Sequence, residues 1–87
     1  MKRLTARQKD QWILNEGVEL NEALERLAKF EEFHAKMLSS QGEIVEELAK
    51  LRAEGKEKTV QYRELFTKKP LTNNVLAFLR YHGIKED

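Results

Sequence analysis

Ile13, Gly17, Leu20, Leu24 and Leu27 are separated by steps of four, three, four and three, the spacing that lines apolar positions along one side of an α-helix. This pattern predicts a long N-terminal helix from about residue 6 to residue 39, with Thr5 as N-cap and Gln8 completing a capping box. Beyond Leu27 the stripe meets Phe30 or Glu31, then His34, Met37 and Leu38. It therefore drifts and becomes mixed, which suits a bundle helix better than an extended zipper. Gly17 costs about 1 kcal/mol inside a helix. In the seam it also lets a second helix approach closely, and a break at "NEG" is the alternative.

Further punctuation divides the rest of the chain. Ser40 and Glu43 have capping-box spacing around Gly42, so a second helix is expected over residues 41–54, carrying Ile44, Val45, Leu48 and Leu51 and stopped by Gly55. Glu22 with Arg26, Glu25 with Lys29, Glu32 with Lys36 and Glu46 with Lys50 have the i,i+4 order of solvated helix faces. A third helix over roughly 60–68 turns Tyr62, Leu65 and Phe66 inward, although "KTVQY" also suits a short strand. Pro70 ends that helix, because the residue before a proline is pushed out of helical backbone. Thr72 then caps a final helix with Leu71, Val75, Phe78, Leu79 and His82 on one face. Gly83 sits where a left-handed cap belongs, with Ile84 folding back on Leu79 in a Schellman arrangement. The expected fold is all-α: one domain over residues 1–87, a small helical bundle with a long N-terminal helix, a second helix and two short C-terminal helices.

With 87 residues and no cysteine, the chain has neither disulfide staples nor Cys-based zinc sites. A domain this small buries only about 60 to 65% of its unfolded surface, so missing burial is often found in a partner or a second copy. No apolar run reaches the roughly 18 residues of a membrane span, and "MKRLTARQKDQ" lacks the apolar core of a signal peptide. A cytoplasmic, non-membrane protein is expected. The net charge of +1 is divided unevenly: residues 1–55 hold nine basic and eleven acidic side chains, residues 56–87 seven and four.

Three groups of residues bear on function. Residues 60–82 resemble a helix-turn-helix, a motif that places its second helix in the major groove. The resemblance implies phosphate contacts from Arg63, Lys68, Lys69 and Arg80 and base contacts from Asn73 and Asn74. The plainer reading is a helical hairpin whose Leu65, Phe66, Val75, Phe78 and Leu79 close the core. The second group, "EEFH", places Glu31 and His34 at i,i+3 and resembles the metal-binding helix of ferritin-like di-iron proteins. One chain supplies a single such unit, so neither metal nor cofactor is expected. With no phosphate-cradling glycine loop, no cysteine nucleophile and two histidines far apart, an enzyme is not expected.

The third group is a candidate interface: Trp12, Ile13, Gly17, Leu20, Leu24 and Leu27. On a helix, Trp12, Ile13 and Leu14 would spread over about 200°, so one of them needs a second neighbour. The function expected is a non-enzymatic helical protein–protein interaction module that forms homodimers, with an unidentified protein partner also open. The alternative is a small DNA-binding regulator using residues 60–82.

Overall fold

Residues 5–14, expected as the first turns of a helix, form an antiparallel β-hairpin instead: β1 is Thr5–Gln8 and β2 is Gln11–Leu14. The computed structural model describes residues 1–87, and two helices follow the hairpin: α1, Leu20–Ala53, and α2, Val60–Tyr81. The chain is therefore not the four-helix all-α bundle that its spacing suggests. It divides into two compact units, Met1–Phe33 and His34–Asp87.

The hairpin follows from a two-residue alternation that the helical pattern overlaps. Thr5 pairs with Leu14, Ala6 with Ile13, Arg7 with Trp12 and Gln8 with Gln11, leaving Lys9 and Asp10 as the connection. Lys9 has φ +55°, a left-handed conformation that costs a side chain of this type about 1 to 2 kcal/mol. Asn15 closes the base. Its N–H donates to the Leu4 carbonyl at 2.8 Å, and its Nδ2 donates to the Arg3 carbonyl at 2.9 Å. The Asn15 carbonyl then accepts from the Val18 N–H at 3.1 Å, forming a turn whose third residue, Gly17, has φ +78°. That is the position where a type II turn requires positive φ, so Gly17 ends the hairpin segment and does not serve a helix seam.

The helix breaks expected near residues 40 and 70 do not occur. α1 passes through Ser40 and Gly42 because its inner face stays in register: His34, Ile44, Leu48 and Leu51 are buried, and Met37, Leu38 and Gln41 half-buried. These positions recur at steps of three and four, so continuing the helix keeps one unbroken contact stripe. That stripe outweighs the local cost of one interior glycine. α2 passes through Pro70 for the same reason, with Leu65, Thr72, Leu76 and Leu79 inside on both sides of it. Thr72, expected as an N-cap, is a buried interior residue. The residue that does cap α2 is Thr59, whose Oγ1 accepts from the Tyr62 N–H at 3.2 Å.

Both helices end as their glycines indicate. Gly55 has φ +72°, with Lys56 N–H donating to the Leu51 carbonyl at 2.8 Å and Gly55 N–H to the Arg52 carbonyl at 3.1 Å. This pair of bonds defines a Schellman cap. Ile84 to Leu79 at 2.8 Å and Gly83 to Arg80 at 3.0 Å repeat it at the end of α2. Within the second unit α1 and α2 run antiparallel. Gln41 bonds Asn73 and, nearer the loop, Arg52 bonds Tyr62. No helix is long and apolar enough to cross a membrane.

Candidate functional site

In the first unit, two faces of the α1 segment receive different treatment. Glu22, Glu25, Arg26 and Lys29, together with Leu4, line a shallow cavity of about 220 Å³ where the segment before β1 meets the helix. Leu4 is buried there, over the aliphatic stems of charged side chains. Lys2 Nζ meets Glu22 Oε1 at 2.9 Å, and Arg26 Nη1 donates to the Lys2 carbonyl at 3.1 Å, so polar contacts hold the same side. At 100° per residue, Leu20, Leu24 and Leu27 project roughly 180° away from that charged face. They are 61, 52 and 52% exposed. The segment of residues 2–4 lies on the polar side of the helix and leaves the leucine seam open.

The six residues of the expected interface thus belong to three elements. Leu20, Leu24 and Leu27 share one exposed helix face, flanked by Ala23 and Ala28. Gly17 lies in the turn before it. Trp12 and Ile13 are neighbours on β2, so they project to opposite sides of the ribbon. Ile13 shares the side of Leu4 and Ala6. Trp12 shares the side of Arg3, Thr5 and Arg7, where the Arg3 and Arg7 guanidinium carbons lie 5.4 and 5.1 Å from the indole centre. Sequence reasoning treated Trp12 as an apolar anchor and missed these arginines. The signal present was the cross-strand pair of Arg7 with Trp12, legible only once residues 5–14 are paired as strands.

In the second unit, Arg63, Lys68, Lys69, Asn73, Asn74 and Arg80 all stand on the continuous α2. The turn that a helix-turn-helix needs at "KKPL" is absent, because those residues are helical. At 100° per residue the six are distributed around most of the helix. Asn73 is half-buried and accepts from Gln41 Nε2 at 2.8 Å. Arg80 donates from Nε to Glu86 Oε1 at 2.7 Å and forms an ion pair with it through Nη2. The inward face is rotated by about one residue, 100°, from that expected. Leu76 is fully enclosed at 0% exposure, whereas Phe78 is 67% exposed. Phe78 joins Asn74, Ala77 and Tyr81 around an open apolar groove of about 330 Å³.

Shifted ionisation is confined to surface partners. Glu86 is held below its ordinary value of 4.5, first by the hydrogen bond from Arg80. Glu54 is lowered by its hydrogen bond to Lys56, and Arg52 is raised by its hydrogen bond to Tyr62. A groove of about 380 Å³ brings Glu43, Glu46 and Glu47 near Lys68, Ser40, Ile44 and Leu65. It holds no histidine or cysteine, so it assembles no nucleophile with an imidazole base. His34 is buried, and no three His, Asp or Glu side chains converge where a metal could bind. Comparisons of the chain with family models, with characterised proteins and with solved structures returned no match.

Proposed function

We propose that this chain is a non-enzymatic, cytoplasmic interaction module that pairs with a second copy of itself through Leu20, Leu24 and Leu27. The observation that carries this reading is the placement of Lys2 and Leu4, just before β1, on the charged face of α1, opposite three leucines that remain at least half exposed. Burying each of them in an interface is worth up to about 1.5 to 3 kcal/mol.

A second copy fits this face by symmetry. An antiparallel pair centred on Leu24 sets Leu24 against Leu24, with Leu20 and Leu27 of each chain on either side of it. A two-fold axis satisfies both copies with one patch, as an isologous dimer requires. Small flanks at Ala23 and Ala28 allow the two backbones to approach closely.

The test is the solution mass of variants. Leu24→Glu places a charge at the centre of the pairing and yields a monomer, while helicity is retained because Leu24 is already half exposed in the single chain. Val45→Glu, at a comparably exposed α1 position in the second unit, leaves the dimer intact. Equal masses for Leu24→Glu and wild type would refute the assignment of this face.

A further inference from the structure

We propose that the outward face of the β-hairpin, Trp12 with Arg3 and Arg7, is a binding site for single-stranded nucleic acid. Strand pairing sets Thr5 opposite Leu14 and Arg7 opposite Trp12, so Arg3, Thr5, Arg7, Trp12 and Leu14 share one side of the ribbon. This is the side turned away from Leu4 and the helix. Trp12 is 58% exposed, with two guanidinium carbons within 5.4 and 5.1 Å of its centre. Neither arginine has a carboxylate at ion-pair distance, since the ion pairs are made by Lys2, Lys56 and Arg80. Two like charges gathered about one ring repel each other, and an anion bound between them relieves that repulsion. A guanidinium over an aromatic ring uses its face for the ring and keeps its N–H edges for a phosphate.

The charge distribution points to the same face. Residues 1–15 hold Lys2, Arg3, Arg7 and Lys9 against Asp10 alone, a net of +3. The whole chain is +1, so the remaining residues are net −2, with residues 16–55 at −5 and residues 56–87 at +3. A phosphate-bearing chain is therefore drawn to this element and repelled by the acidic α1.

Single-stranded nucleic acid fits this surface better than other anions. An exposed indole offers a stacking platform to an unpaired base, which neither an acidic peptide nor a duplex with its bases already stacked can use. A lipid surface calls for several apolar side chains to insert, whereas beside Trp12 this side offers only Leu14 among Arg3, Thr5 and Arg7. The site is independent of the leucine seam, which lies on the far side of α1.

Trp12 is the only tryptophan, so its fluorescence reports on this site alone. Titration of the full chain with a short oligo(dT) is expected to quench Trp12. The affinity should fall with salt at a log–log slope of about −1.4, from roughly 0.7 per neutralised cation and the two arginines. Arg3→Gln combined with Arg7→Gln should weaken binding at least about tenfold, with the far-ultraviolet dichroism of the helices unchanged. Trp12→Tyr should stay within about threefold of wild type, because it keeps a stacking ring, and Lys68→Gln with Lys69→Gln should match wild type. The proposal is overturned by the absence of oligo(dT) binding at low salt, or by a double-arginine variant that binds like wild type. It is equally overturned if phosphatidylserine vesicles or polyglutamate quench Trp12 while oligo(dT) does not.

Discussion

Gln41 donates from Nε2 to Oδ1 of Asn73 across 2.8 Å, a partly buried side-chain bond between α1 and α2. With the bond from Arg52 Nη2 to the Tyr62 hydroxyl at 2.9 Å, it fixes which turns of the two helices lie side by side. Gln41→Ala or Asn73→Ala alone leaves one amide unsatisfied and should cost about 1 to 2 kcal/mol. Gln41→Leu with Asn73→Leu should cost less than the sum of the single changes, because apolar replacement of both partners leaves no orphan. Chemical denaturation of the four proteins checks this.

Two residues that locally oppose helix formation sit inside helices, and their removal should be stabilising. Pro70→Ala restores an N–H donor to α2. The expected gain is about 2 kcal/mol: a helix-interior penalty of about 3, less up to about 1 that proline contributes by restricting the unfolded chain. Gly42→Ala should add about 1 kcal/mol, since a methyl group there meets no atom within 4 Å. Gly55→Ala should do the reverse and cost about 1 kcal/mol, because φ +72° is required by the cap. Thermal unfolding that ranks the three in another order would show that α1 or α2 is interrupted.

Glu86 provides a pH prediction. Its carboxyl is lowered in the folded chain by the hydrogen bond from Arg80, so the bond contributes stability that is present above the ordinary value of 4.5. That contribution is lost as pH falls below 4.5 through the folded value. NMR titration should place the Glu86 midpoint below 4.5, and Arg80→Ala should return it to the ordinary value.

Much of the second unit is legible in the sequence, and the physical reasons are local. Ile44, Leu48 and Leu51 read as an inner face, Gly55 and Gly83 as helix ends, and Ile84 as folding back on Leu79, because each depends on residues within one or two turns. The hairpin is hidden because the helical spacing of Leu20, Leu24 and Leu27 extends by coincidence through Gly17 to Ile13. Lys9 conceals it further, being an unusual residue for positive φ. The continuity of α1 and α2 depends on packing between distant residues, which overrides a glycine or proline penalty that sequence reasoning takes at face value. The same packing rotates α2, burying Leu76 and half-burying Asn73 where Phe78 is expected to face inward. Of the candidate interface, the leucines are legible as one face. Trp12 and Ile13 are not, because a strand sends neighbouring side chains to opposite sides while a helix keeps them about 100° apart.

The central claim is that the leucine face opposite Lys2 and Leu4 is closed by a second copy, and the mass of the wild-type chain in solution tests it most directly. Sedimentation equilibrium from low to high micromolar concentration should show a reversible transition from the 10.2 kDa chain to twice that mass. A single species of 10.2 kDa at every concentration would contradict it.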